Sequence, residues 1–486
     1  MPLSLEEKTN TVAFLWDESH LWGLMAYKSL RALGLPFDLV RAEDIRQGCL
    51  NRYRMLFVPG GWASNKLKAL GERGIKEIRE FVKRGGNYFG ICGGAGLATL
   101  DGIGLLNIKR KPTKERVPSF SGRIKLNISG HPIFSNMQSQ KSTVTTQQPT
   151  EIISKQSVVI SGQSIERTRN TDTDNGIRLQ PSALSLSSAF SLQPIFYAWW
   201  PSQFVVLDSN CYFRHQISVI ATFGEALPDA FSSDLNVGDV EIGGGSDRWK
   251  ELEEIYGINL DPRRLINEPA VVEGNYGEGR VLLSLVHFDT PDDKNGAEVL
   301  KNIWQYLSAT ERQSDRHISA ANSPFPPLKV RGGIEGGVHS RPNSSALLKE
   351  VEGLIDFGLR NLLWFWRTPM LLQWRRGVRG LEYCTLYWMI KEIIQACDDN
   401  ELIQIRDLLI PFIDKAKKLL ILERLAMLKE NITFERVNDP VIMSLRKELF
   451  GGQKSYGGLF KRVLEIIDEI LFGYLKRQTG TFSTRV

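Results

Sequence analysis

The sequence predicts an α/β chain, a doubly wound and mostly parallel sheet, followed by an all-α C-terminal domain. Three observations predict it. Short apolar runs alternate with amphipathic stretches between residues 11 and 100. Two of those runs end in glycine-rich turns, Gly60-Gly61 and Gly93-Gly94. After residue 346, apolar residues recur at helical spacing.

Thr11–Trp16 (TVAFLW) reads as a buried strand, and His20–Leu33 as a helix stopped by Gly34 and Pro36. Phe37–Arg41 is a second strand and Arg54–Pro59 a third. Lys66–Lys83 is amphipathic, with Leu70, Ile75, Ile78, Phe81 and Val82 on one face, and Gly85-Gly86 closes it. Asn87–Cys92 is a fourth strand, and Gly93–Leu100 opens the next helix. Ligands of such sheets bind beyond the carboxyl ends of strands, where both glycine turns lie. Ser119–Phe134, Ile195–Val206 and Ile217–Phe223 are strand-like, and Pro269–Val286 reads as a hairpin around Tyr276-Gly277-Glu278-Gly279. Lys301–Leu307 is a closing helix.

These elements place an α/β domain at 9–309. Residues 137–189 contain no aromatic residue and are crowded with Ser, Thr and Gln, so a flexible insertion is expected over about 137–192. Residues 310–345, rich in Ser, Pro, Gly and Arg, read as a disordered linker. Residues 346–478 read as entirely helical, most clearly Leu402–Leu428 and Leu459–Leu475, punctuated by Gly451-Gly452 and Gly457-Gly458.

A chain of 486 residues exceeds one ordinary domain, and 42% hydrophobic residues exclude wholesale disorder. Lys+Arg 61 against Asp+Glu 55 leaves +6, too mild for a dedicated nucleic-acid binder. The five cysteines (Cys49, Cys92, Cys211, Cys384, Cys397) form no CxxC pair, so neither a zinc site nor a disulfide framework is expected, and no cofactor is called for. The chain opens without a signal-like apolar region and has no long uncharged apolar run, so a cytoplasmic, reducing compartment is expected.

Cys92 ends an apolar strand and is followed by Gly93-Gly94 and a helix. A sharp strand-to-helix turn strains its central residue, tolerates only small neighbours and lifts the side chain clear of the sheet. At a helix N-terminus the thiolate, which is the nucleophile, is favoured. Gly60 or Gly61, with Gly93, could supply N–H donors to an oxyanion. Of six histidines, His287 is best placed to act as base, because it follows the apolar strand Arg280–Val286 and opens His287-Phe288-Asp289. Asp289 could orient the ring or face solvent. A small core cysteine, a phosphate-cradling glycine turn and a structural histidine are the alternative readings.

FVPGGW, GGNYFGICGGAG and EPAVVEGNYGEGRVLLSLVHFD resemble the class I glutamine amidotransferase-like fold, which is flavodoxin-like with a nucleophile elbow. The closer likeness is to its biotin–protein ligase N-terminal-domain branch, and GHPIF at 130–134 and YAWWPSQF at 197–204 share it. The resemblance covers about residues 9–309 apart from the insertion. It implies Cys92 as nucleophile, Gly90 and Gly94 as elbow glycines, Gly60-Gly61 as oxyanion turn and His287 as the family histidine. Asp289 stands where Glu is usual, and Gly96 where glutaminases carry Gln. No ligase signature of the glycine- and arginine-rich type follows, so biotinylation is not predicted.

Leu359–Gly380 interleaves Trp364, Trp366 and Trp374 with Arg360, Arg367, Arg375, Arg376 and Arg379, and Pro369 would interrupt or kink any helix there. Trp364, Trp366, Trp374, Arg375 and Arg376 suit a protein partner or a membrane surface, or else internal packing of the bundle. No nucleic acid is expected. Two functions follow. One is a cysteine-dependent amidase or acyl-transfer domain acting on a small-molecule or peptide amide. The other is a catalytically degenerate ligand-binding module with a docking tail.

Overall fold

The computed structural model describes residues 12–135, 137, 193–207, 217–308, 342–394, 396–429, 437–452 and 456–480. Apart from Met137, the expected insertion lies outside these residues, as does the expected linker up to residue 341.

The strands are β1 (Val12–Leu15), β2 (Asp38–Val40), β3 (Met55–Val58), β4 (Asn87–Ile91), β5 (Ile108–Arg110), β6 (Phe120–Ile128), β7 (Ile195–Trp199), β8 (Phe204–Val206), β9 (Ser218–Ala226), β10 (Phe231–Ser232), β11 (Leu235–Asn236), β12 (Pro269–Tyr276) and β13 (Gly279–Ser284). Between them run α1 (His20–Ala32), α2 (Ala42–Arg46), α3 (Ala63–Lys83), α4 (Gly93–Leu97), α5 (Val237–Ile242) and α6 (Gly245–Tyr256), and α7 (Lys294–Ser308) follows. The main sheet runs β2-β1-β3-β4-β13-β12-β9-β6-β10-β11, with β7 also on β6. From β2 to β13 every pairing is parallel, whereas β12 onward is antiparallel. Every residue of β1 and β3 is buried, as expected for parallel strands covered on both faces. The chain leaves β1 toward β2 and then returns to β3 on the other side. The resulting switch point opens a crevice at the carboxyl ends of β1, β3, β4 and β13. The segments 16–20, 59–61, 92–94 and 285–289 all converge there.

The C-terminal region is helical, with α8 (Pro342–Arg360), α9 (Leu381–Ile393), α10 (Asp399–Leu428), α11 (Pro440–Phe450) and α12 (Gly458–Gly480). One stretch corrects the all-helical reading. Residues 364–374 form an antiparallel hairpin of β14 (Trp364–Thr368) and β15 (Leu371–Trp374). Pro369 therefore interrupts the helical region and kinks no helix. Thr368 pairs with Leu371, so Pro369-Met370 makes the turn. Proline's fixed φ suits the first central turn position, and the aromatic and β-branched residues before it favour a strand.

The described residues on both sides of the expected linker belong to one compact unit. Trp16 Nε1 donates to Asp468 Oδ1 at 2.9 Å, and Arg41 Nη1 reaches Asp468 Oδ2 at 2.8 Å. The Arg41 guanidinium also lies 4.2 Å over the Phe472 ring. At the hairpin, Trp364 is buried, Trp374 stacks on Trp200 at 5.4 Å, and Trp366 packs against Tyr387 and Trp388. Arg376 lies 4.1 Å over the Tyr256 ring. Asp468→Ala strands a buried indole N–H and removes one carboxylate from Arg41, which keeps Glu469, so it should lower unfolding stability by about 1–3 kcal/mol. Urea denaturation followed by tryptophan fluorescence checks this. Asp468→Asn, which keeps an acceptor for Trp16, should recover part of the loss. No helix among the described residues is long and apolar enough to cross a membrane.

Candidate functional site

The site grows from a backbone constraint. β4 ends at Ile91, and Cys92 turns the chain into α4 with φ 51° and ψ −104°, a conformation costing about 1–3 kcal/mol for a residue other than glycine. The turn is held on both sides. Cys92 N donates to Ser284 O at 2.8 Å and Gly96 N to Cys92 O at 2.9 Å. Tyr88 Oη donates to Gly94 O at 2.7 Å. Side chains at the neighbouring positions do not fit. A Cβ on Gly90 would stand 2.7 Å from the Gly94 carbonyl, one on Gly94 would run into Val58 O, and one on Gly93 into Gly61 O. The two glycine turns thus interlock, which brings Gly61 and Gly93 together beside Cys92. Gly61 itself has φ 113° and leaves no room for a side chain against Glu18 O.

His287 follows β13 and is anchored by its N–H to Tyr197 O at 2.7 Å. Its Nδ1 is 3.0 Å from Asp289 Oδ1, and both side chains are buried. Aspartate, one methylene shorter than the glutamate that the resemblance leads one to expect, reaches the ring. Its own position is fixed from α1, where Ser29 Oγ donates to Asp289 O at 2.9 Å. Burial alone would push the imidazole down. The Asp289 charge and hydrogen bond, reinforced by the Cys92 sulfur, outweigh burial and raise it to about 10. Nε2 is buried, and the Cys92 sulfur is the group that acts on it among the described residues. A Cβ on Gly60 would lie 3.2 Å from His287 Cε1, so the turn after β3 presses on the same ring.

The walls join Trp22, which the sequence did not single out, to Trp199 and Trp200 of YAWWPSQF. Cys92 Sγ is 3.8 Å from Trp199 O, and the Trp22 ring lies 5.0 Å from the imidazole and 5.8 Å from Trp200. Trp200, stacked on Trp374, links this wall to the C-terminal hairpin, so YAWWPSQF runs through the site. Tyr456, also C-terminal, sits against His20 and Trp62 at 5.4 and 6.3 Å. Behind the PGG turn, Lys66 is fully buried, donates to Asp17 O at 2.8 Å and contacts Ser19 Oγ. Burial pushes its amine down to about 7 against the opposing pull of Asp17, Glu18, Asp468 and Cys92. Backbone strain also gathers here, with positive φ at Glu18, His20, Trp200 and Gln203 as well as Cys92. Those φ values are not legible in residue types.

The expected residues Cys92, His287, Asp289, Gly60, Gly61, Gly90, Gly93 and Gly94 thus come together in one crevice. His20 is buried beside it and pushed down to about 4 by that burial. His131 instead bonds Glu273 at 3.1 Å, and His215, His317 and His339 lie outside the described residues. Gly96 has no carboxamide to offer. The space a Cβ would take there is 3.4 Å from Arg110 Cδ and 3.5 Å from its Nη1.

A flavodoxin-like strand order with a cysteine elbow at the switch point and a carboxylate-held histidine across from it is the arrangement that the resemblance to the class I glutamine amidotransferase-like fold implies. More narrowly, residues 45–101, which carry the PGG turn and the elbow, match the family model described as Biotin-protein ligase, N terminal. Among solved structures, PurLQS from Thermotoga maritima is similar at 14% identity and a TM-score of 0.34, over 61% of this chain and 98% of that one. A GMP synthase component from Thermoplasma acidophilum is similar at 11% identity and 0.32, over 61% and 94%. A beta-galactosidase from Bacillus circulans is similar at 10% identity and 0.29, over 62% and 31%. No curated protein matches the sequence.

Proposed function

We propose that the α/β region is a cysteine-dependent amidase or acyl-transfer domain. The observation that carries this reading is the strained Cys92 elbow set beside a histidine whose other nitrogen is held by Asp289. Cys92 Sγ attacks the carbonyl carbon of an amide, and the backbone N–H groups of Gly93 and of Gly60 or Gly61 receive the oxyanion. As the C–N bond breaks, His287 gives its Nε2 proton to the departing amine and a thioester remains. Water then attacks the thioester carbon and gives a proton to His287. The thiolate leaves and a carboxylic acid is released. Gly96 in place of glutamine speaks for a substrate other than free glutamine.

Alkylation of the full-length chain by a small haloacetamide, with each cysteine followed by peptide mass spectrometry, tests this. Cys49 is the internal reference, because it is partly exposed and burial pushes its thiol up to about 11. Cys92 should react at least about tenfold faster at neutral pH, and His287→Ala should remove most of that advantage. Equal rates at the two cysteines, or indifference to His287→Ala, would leave the second reading, a ligand-binding module that keeps the shape without the reaction. Gly96 is the residue that favours that second reading.

A further inference from the structure

The β14–β15 hairpin leaves a cleft against α9. It has a volume of about 480 Å³, within the range of ligand sites, and is lined by Trp366, Arg367, Tyr387, Trp388 and Lys391, with Thr368-Pro369 at one end. Three rings close on one another there. Trp366 and Tyr387 are 5.6 Å apart at 53°, Trp366 and Trp388 6.2 Å at 76°, and Tyr387 and Trp388 5.3 Å at 77°. Each is only half-buried, so apolar ring surface is left uncovered. The hydrogen-bonding groups decide what fits. No carboxylate, carboxamide or imidazole lines the cleft among the described residues. Both hydroxyls already serve as acceptors, Thr368 Oγ1 for Met370 N at 3.3 Å and Tyr387 Oη for Lys391 Nζ at 3.2 Å. Arg367 is engaged elsewhere: Nη1 donates to Ser121 Oγ at 2.7 Å and to Gln373 Oε1 at 3.0 Å, and the guanidinium lies 4.7 Å over the Phe231 ring. The group left without a partner among the described residues is a donor, the buried Trp388 Nε1. Exposed Lys391 lies across the same rings, with Nζ 5.0 Å over Trp388 and 5.4 Å over Tyr387.

An aromatic cleft that offers donors and no free acceptor selects its occupant. A sugar needs acceptors for its hydroxyls, and a cation meets Lys391 already over the rings. A membrane surface suits rings that project, whereas these close on one another. A polyproline II segment matches on both counts. Each proline has a carbonyl and no N–H, the carbonyls have no internal partners, and the pyrrolidine rings pack between aromatic walls. We propose that this cleft docks a proline-rich segment of a partner protein. Its proline rings sit between Trp366, Tyr387 and Trp388, and with Lys391 moved off the ring, one of its carbonyls accepts from Trp388 Nε1. The docking does not depend on Cys92 chemistry, and it gives Trp366 a role besides packing.

Fluorescence anisotropy of a labelled decaproline peptide, titrated with the full-length protein, tests this. Binding should saturate, and a glycine–serine peptide of the same length should bind at least about tenfold more weakly. Trp388→Phe keeps a ring and loses the N–H, so it should weaken binding about threefold to tenfold. Trp366→Ala should bring binding down to the level of the control peptide. Added salt should change little, because no ion pair forms. Equal binding of the two peptides, or a preference that both variants leave untouched, overturns the proposal. So does a protein that ignores decaproline but sediments through Trp366 with vesicles containing phosphatidylserine, since the face would then meet a membrane. Pro324, Pro326 and Pro327 lie outside the described residues. A peptide that binds only after those three are changed to serine would put this chain's own prolines in the cleft and overturn the assignment to a partner. Should Trp366→Ala fail to fold, Trp388→Phe and the control peptide still decide.

Discussion

Asp289→Asn should lower the rate of thioester formation on the order of 10²–10⁴-fold while leaving the fold in place, because the amide is isosteric with the carboxylate. The cause is electrostatic. In the native protein the Asp289 charge opposes burial and raises His287 to about 10. Without that charge, burial is opposed by the Cys92 sulfur alone, so the ring holds less firmly the proton that the leaving amine needs. The same pair has a stability signature of fixed sign. A histidine raised on folding contributes stability that is complete below pH 6.5 and is lost as pH climbs through about 10. Wild-type unfolding free energy should therefore fall across that window, and the fall should be much smaller in Asp289→Asn. Single-turnover assays and urea titrations between about pH 6 and 10 check both halves. An Asn variant with wild-type turnover would show that Asp289 does not hold the ring for catalysis.

Gly94→Ala should destabilise the chain by more than ~4 kcal/mol, near the upper end for a single substitution, and abolish Cys92 reactivity with it. The added methyl would be driven into Val58 O, a backbone atom of a fully buried central strand that cannot rotate away. Gly96→Ala makes the contrast. Its nearest neighbours are the flexible Arg110 side chain at 3.4 Å and Ala63 Cβ at 3.6 Å, so it should cost little. Thermal unfolding of the two variants side by side is the measurement. A Gly94→Ala protein that melts with the wild type would mean the two glycine turns do not interlock as described.

Much of the α/β framework is legible because its signals are local. Strands buried on both faces read as unbroken apolar runs, and glycines mark their ends, so β1, β3 and β4 fall within a residue or two of the expected positions. Lys66–Lys83 reads as one amphipathic helix. In the structure α3 starts at Ala63 and is broken at Gly71, where φ is 60°. That pattern does not reveal that Lys66 turns inward beneath the PGG turn. The β14–β15 hairpin escapes a reading that extends the helical period of its flanks across it. Pro369 between WFWRT and MLLQW is the available signal, and a proline there fits a helix kink as well as a turn.

From residue order alone comes the elbow, since a strained cysteine between strand and helix needs small neighbours within a few positions, and Gly90, Gly93 and Gly94 are written there. His287-Phe288-Asp289 is visible as a string, but whether the carboxylate faces the ring or water is not. Chain folding decides that, along with the convergence on Cys92 of segments after β1, β3, β4 and β13 and the Trp200–Trp374 contact with the C-terminal region. The division has one cause. Backbone strain and turn chemistry act through bonds between sequence neighbours, whereas charge coupling and ring packing fall off with distance in space, which the sheet's pairing order sets.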